Sequence, residues 1–127
     1  MKNHTQIESE LMIALQPFGK VELEPSITFD FGNRKYRPDI VFENSETNKK
    51  LIIEIKSNQM GFTLNSASYV VELKNYLDNN SDYKFVLILT AELTPNLSKY
   101  IQGRINYYSL KEKKIDEIVK NIVTLTK

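Results

Sequence analysis

The segment Lys50-Leu51-Ile52-Ile53-Glu54-Ile55-Lys56 constrains this chain more than any other stretch. A short, β-branched apolar run reads as a buried strand, yet this one carries a carboxylate and an ammonium two residues apart. Side chains alternate across a strand, so Ile53 and Ile55 share one face while Ile52, Glu54 and Lys56 share the other. Charges inside an apolar strand are costly to bury without partners, which calls for a polar cavity or a metal ion beside them. Arg37-Pro38-Asp39-Ile40-Val41-Phe42 repeats the picture, with Asp39 set among apolar neighbours on the preceding strand. Asp39 and Glu54 can meet across such a strand pair.

The rest of the pattern surrounds these strands with helices. Ile7, Leu11, Ala14, Leu15 and Phe18 recur at helical spacing, and Pro17-Phe18-Gly19 ends the run. Val21 to Phe31 and Lys35 to Glu43 read as two strands of a hairpin about Gly32-Asn33, and Lys50 to Lys56 completes a three-strand meander. Asn65 or Ser66 can cap a helix with Tyr69, Val70, Leu73, Tyr76 and Leu77 on one face, followed by a buried strand, Phe85 to Leu89. Thr94-Pro95 opens a short helix with Gly103 past its end, and Ile105 to Ser109 is a last strand. Ser109 with Glu112 resembles a capping box before a helix with Ile115, Ile118, Val119, Ile122 and Val123 on one face. The order α-β-β-β-α-β-α-β-α, with no repeat or linker, predicts one α/β domain over residues 1–127 with a mixed sheet.

Composition narrows the chemistry. The chain has 127 residues, no cysteine and one histidine, which excludes disulfides, zinc thiolates and thiol nucleophiles and all but excludes a multi-histidine site. Metal chemistry is expected to use oxygen ligands. Seventeen Lys plus Arg against sixteen Asp plus Glu leave a net charge of +1, with no bulk pull on nucleic acid, so any such surface has to be local. The start, Met1-Lys2-Asn3-His4, meets Glu8 and Glu10 before any apolar run, unlike a signal peptide, and no stretch has the length of a membrane span. A soluble cytoplasmic protein without a membrane partner is expected.

Two carboxylates on adjacent strands suit Mg²⁺ or Mn²⁺, which take oxygen ligands and keep waters free to act as nucleophile. Lys56 beside them can orient the water and stabilise developing charge, a set of parts for phosphodiester hydrolysis. Glu8 falls inside the apolar stripe of the first helix and supplies a third carboxylate, with Glu10, outside the stripe, as the fallback. Local basic groups are Arg34, Lys35 and Arg37 around the hairpin, Lys49 and Lys50 at the next turn, and Lys74 on the following helix. The polar stretch from Ser57 to Asn65, with Asn58 and Gln59, leaves the motif strand toward a substrate backbone. Plainer readings compete. Glu54 and Lys56 can be a solvated cross-strand pair on an edge strand, and Glu8 a carboxylate at a stripe boundary. His4 reads as a frayed terminal residue, and Tyr69 and Tyr76 sit at core spacing rather than ready to stack on bases.

Arg37-Pro38-Asp39, fourteen intervening residues, then Glu54-Ile55-Lys56 resembles the signature of the PD-(D/E)xK, or restriction-endonuclease-like, superfamily. The element order from about residue 5 to 90 is similar to that family's αβββαβ core, with its mixed sheet flanked by helices. The resemblance implies that Asp39 and Glu54 are metal ligands, that the Ile55 carbonyl is a further ligand, and that Lys56 is the catalytic lysine. Glu8 resembles the first-helix glutamate of archaeal Holliday-junction resolvases and type I restriction nuclease domains. The stretch from Ile27 through Ser57 looks most like the latter. Those relatives often carry a Gln-x-x-x-Tyr element, whereas this chain keeps Tyr76 but has Glu72 in place of the glutamine. The implied activity is that of a Mg²⁺- or Mn²⁺-dependent endodeoxyribonuclease leaving a 5′ phosphate, acting on DNA as a homodimer or as a subunit of a larger nuclease assembly. The alternative, favoured by the +1 charge, is an inactive relative that binds nucleic acid or a partner protein.

Overall fold

Asn3 sets the start of the first helix. Its side chain accepts the Gln6 N–H while Gln6 Oε1 accepts the Asn3 N–H, both at 2.9 Å, a reciprocal capping box. Helix α1, His4–Leu15, thus begins ahead of the apolar periodicity, and Pro17 tightens its end into a 3₁₀ turn, Gln16–Phe18. Phe18 lies in that turn and stays 43% exposed, so it does not join the core as the periodicity suggests. The structure, a computed structural model, describes residues 3–56, 62–90 and 93–127.

Each of the two long strands expected after α1 is broken in two. The first gives β1, Gly19–Leu23, and β2, Phe29–Phe31, and the second gives β3, Arg34–Tyr36, and β4, Ile40–Asn44. Pro25 and Pro38 cannot donate to a ladder, and Glu24, at φ 44, turns the chain out of β1. The Arg37 guanidinium clasps the two exits together, donating to the carbonyls of Glu24 and Pro25. The pieces re-pair accordingly. β2 and β3 form a small separate hairpin about Gly32, at φ 60, while β1 runs antiparallel to β4 from Gly19↔Asn44 to Leu23↔Ile40. β4 in turn pairs antiparallel with β5, Lys50–Lys56, so the meander survives as β1-β4-β5 with the hairpin inserted in it.

Two crossovers extend the sheet. α2, Leu64–Asn80, leads to β6, Lys84–Leu89, and α3, Pro95–Ile101, leads to β7, Asn106–Ser109, each new strand parallel to the one before. The result is a five-stranded mixed sheet ordered β1-β4-β5-β6-β7. β5 lies at its centre and is buried on both faces, which overturns the edge-strand reading of Glu54 and Lys56. On one face Ile40, Phe42, Ile53, Ile55, Val86 and Ile88 pack against α1 and the last helix, α4, Ile115–Leu125. On the other Ile52, Phe85, Leu87 and Leu89 pack against α2, α3 and the hairpin.

Two helix starts differ from expectation. Thr63, not Asn65 or Ser66, caps α2, because its side chain accepts the Ser66 N–H. α4 begins only at Ile115. The Ser109 carbonyl accepts the N–H groups of Glu112 and Lys113 at 3.0 and 2.9 Å, closing a turn where a capping box was expected. No helix among the described residues is long and apolar enough to cross a membrane.

Candidate metal centre

The register of β4 on β5 ends at Ile40↔Ile53, which leaves Ile55 opposite the point where β4 has already stopped. Its N–H still needs an acceptor inside the protein. Asp39 provides one: the chain bends at this residue and Oδ2 accepts the Ile55 N–H at 2.9 Å. Pairing from the other side holds the bend, since the Glu24 N–H donates to the Asp39 carbonyl at 2.6 Å. N–H and C=O of one strand residue leave the same edge, so the Ile55 carbonyl also faces this notch.

Glu8 and Glu54 approach the notch from opposite faces of the sheet. Glu8 is one turn into α1, on the helix side where Ile7, Leu11 and Leu15 pack, and is only 3% exposed. Its Oε2 is buried without a hydrogen-bond partner. Burial raises its pKa above the ordinary carboxylate range, and the nearby charges of Glu24 and Asp39 push the same way against the opposing effect of His4. Glu54 is 8% exposed on the hairpin face, where Tyr36 donates to Oε1 at 2.7 Å and Lys56 Nζ lies 3.3 Å from Oε2. Burial, then repulsion from Asp39, lifts the Glu54 carboxyl to about 7, while Tyr36 and Lys56 restrain the shift. The Tyr36 phenol is pushed well above its usual range by its own burial and by the Glu54 charge.

The ligand atoms of His4, Glu8 and Asp39 all lie within 4.8 Å of one another. Glu54, turned toward Tyr36 and Lys56, falls outside that group although its charge is felt at Asp39. Of the residues singled out in sequence, Asp39, Glu8, Glu54, Ile55 and Lys56 converge on the notch, and Glu8 rather than Glu10 supplies the first-helix carboxylate. Glu10 instead lines a separate cavity of about 980 Å³ on the other flank of α1, with Ile13, Thr90 and Lys113. Two contributors were missed. The frayed reading of His4 fails because the Asn3 box fixes it one turn before Glu8, and Tyr36 is not among the residues singled out in sequence. The Asn-x-x-Gln spacing ahead of Ile7 was the available signal for the first; nothing local marks the second.

The basic groups disperse. Arg34 and Lys35 are exposed on the hairpin, Arg34 over the Tyr69 ring at 5.1 Å. Arg37 is committed to backbone carbonyls, and Lys74 to Asp78 at 2.6 Å. Lys49 and Lys50 stand at the start of β5, about 20 Å along the strand from Lys56, where Lys49 Nζ donates to the Lys127 carbonyl and Lys50 pairs with Glu43. Asn58 and Gln59 lie outside the described residues. Glu72 is exposed on α2, and Tyr69 and Tyr76 pack edge-on against Phe31, as their spacing suggested.

No family model matches the sequence, and no curated protein matches it. Among solved structures the chain is similar to protein VC1899 from Vibrio cholerae, with a TM-score of 0.68 and 16% identity over 98% of this chain and 34% of that one. It is also similar to the protein of unknown function AF1548, with a TM-score of 0.60 and 14% identity over 91% of this chain and 64% of that one. The chain thus spans about a third of the first relative and under two thirds of the second. At these identities the likeness is one of fold.

Proposed function

We propose that this chain is a metal-dependent endodeoxyribonuclease of the PD-(D/E)xK type, with a restriction-endonuclease-like core and its centre at the end of β4. The observation that carries the reading is the buried Glu8 Oε2, left without a hydrogen-bond partner beside Asp39 in the notch that Glu54, Ile55 and Lys56 also border. A buried carboxylate oxygen is costly to leave unmet, and an oxygen-rich donor set suits a hard divalent ion. Glu8, Asp39, Glu54 and the Ile55 carbonyl are the groups that would hold it. A bound Mg²⁺ or Mn²⁺ supplies positive charge against the phosphoryl oxygens and acidifies water beside it.

The chain's own groups do the rest. The Ile55 N–H fixes the Asp39 carboxylate, and the Tyr36 hydroxyl fixes Glu54, so both acids are preorganised by one hydrogen bond each. Lys56, with 37% of its side chain exposed at the rim, reaches the substrate side, donates to the attacking water or a phosphoryl oxygen, and stabilises the charge that grows as the P–O bond to the 3′ oxygen breaks. Arg34 and Lys35, exposed on the hairpin strand that carries Tyr36, are the phosphate contacts of this reading. Cutting both strands of a duplex takes two such centres, hence a homodimer or a larger assembly.

The test is cleavage of labelled linear, single-stranded and four-way-junction DNA in Mg²⁺, Mn²⁺ or EDTA. Wild type is expected to cut only with metal, and Asp39→Ala and Lys56→Ala to lose at least about 100-fold while keeping the wild-type circular dichroism spectrum. A second reading, a nucleic-acid- or partner-binding subunit without activity, draws on the net charge of +1. Folded wild type that cuts none of the substrates would establish it over the first.

A further inference from the structure

His4 is built into the notch. The capping box of Asn3 and Gln6 makes it the first residue of α1, so its side chain shares a helix face with Glu8 four residues on. Nε2 stands 3.6 Å from Glu8 Oε2 and 3.5 Å from Asp39 Oδ1. These gaps exceed a good N–H···O hydrogen bond, which is at most about 3.2 Å, so donation from the imidazole to either acid is weak. They lie close to the tetrahedral spacing of atoms that share an ion. With bonds of about 2.1 Å, neighbouring ligand atoms are about 3.0 Å apart in an octahedral shell and about 3.4 Å apart in a tetrahedral one.

Resting on the reading of the notch as a metal centre, we propose that His4 Nε2 is a ligand, and that His4, Glu8 and Asp39 form a mixed N,O,O set that takes a divalent first-row transition ion in preference to Mg²⁺. Imidazole is a donor that Mg²⁺ uses poorly and first-row transition ions use well. Two carboxylates add charge without selecting between them, so the choice of ion falls to the one nitrogen. Ligation through Nε2 leaves the ring proton on Nδ1 of a side chain that is 42% exposed. His4 adds to the donors named above, and Glu54 borders this trio from the other face, held by Tyr36 and Lys56.

Mn²⁺ is the probe, added to the metal-stripped full chain. Electron paramagnetic resonance of free Mn²⁺ measures affinity, and spin-echo modulation detects a directly bonded imidazole nitrogen. Wild type is expected to bind Mn²⁺ with one nitrogen coupling. His4→Ala is expected to lose that coupling and to weaken Mn²⁺ about 10-fold or more, while Mg²⁺, measured by competition, weakens by less than about 3-fold, so that preference for Mn²⁺ falls. Lys99→Ala, exposed on α3 and outside the notch, should leave both unchanged. Mn²⁺ bound to wild type without nitrogen coupling would overturn the role of His4 and leave the proposed nuclease centre standing. Folded wild type that binds no Mn²⁺ would overturn both. The wild-type spectrum decides the question even if His4→Ala fails to fold.

Discussion

An acid held as Glu54 is held has a measurable consequence for stability. Its carboxyl rises from the usual 4.5 to about 7 because burial and Asp39 disfavour the charged form more than Tyr36 and Lys56 favour it. Below about pH 4.5 the group is protonated in both folded and unfolded chains and costs nothing. As pH rises through the window from 4.5 to 7, the unfolded chain ionises first, so the folded state is progressively penalised, by about 3 kcal/mol in all at pH 7 and above. Glu8, also raised, adds a term of the same sign. In EDTA, urea unfolding of wild type is therefore expected to weaken across this window, and Glu54→Gln to show a shallower decline, with the two curves diverging above pH 5. Parallel curves would mean that the Glu54 side chain is solvated after all. The carboxylate's position on β5 was legible from alternation alone; its anchor was not. Tyr36 lies on a hairpin far from β5 in sequence, and only the folding of that hairpin onto α2 brings its hydroxyl to Glu54.

The pairing of β1 with β4 positions the Asp39 bend, and one residue lets these strands approach. A Cβ on Gly19 would lie 2.0 Å from the carbonyl oxygen of Glu43, a backbone atom that cannot rotate away. Gly19→Ala forces the strands apart and is expected to cost at least about 2 kcal/mol by urea denaturation, against the small gain from a stiffer unfolded chain. Gly32→Ala meets nothing within 4 Å and pays only for its φ of 60, about 1 kcal/mol. An equal loss in both would show that β1 is not packed edge to edge on β4. Elements with strong local patterns, such as β5, β6 and the apolar face of α4, were readable from sequence because burial there follows one period. The breaks were not. A run from Val21 to Phe31 looks continuous in β propensity, and it takes the exit at Glu24, the clasp of Arg37 on its carbonyl and that of Pro25, and the competing partner β4 to divide it. The start of α1 was misplaced for a related reason, since its cap is a polar pair that precedes the apolar stripe.

At the scale of the molecule the proposed nuclease function requires a chain of net charge +1 to meet a polyanion. Its notch carries Glu8, Glu54 and Asp39, with Glu24 near enough to raise the pKa of Glu8, and these acids would repel phosphate unless the proposed divalent ion offset their charge. Much of the positive charge is spent elsewhere: Lys74 on Asp78, Arg37 on backbone, Lys49 and Lys50 at the far end of β5. In the proposed DNA complex Arg34, Lys35 and Lys56 are the basic groups left to meet phosphate, about three contacts, and the slope of log affinity against log salt is expected to be about −2.7. That is a drop of about 40-fold between 50 and 200 mM salt, whereas a protein with six to ten phosphate contacts loses about 1,000-fold or more. Fluorescence anisotropy of a labelled, non-cleavable duplex at constant Mg²⁺ measures the slope directly, and Arg34→Ala with Lys35→Ala should bring it close to −1. A wild-type slope of −6 or steeper that survives these substitutions would place the DNA on a different surface, for which the exposed Lys111 and Lys114 beside α1 are the next to replace.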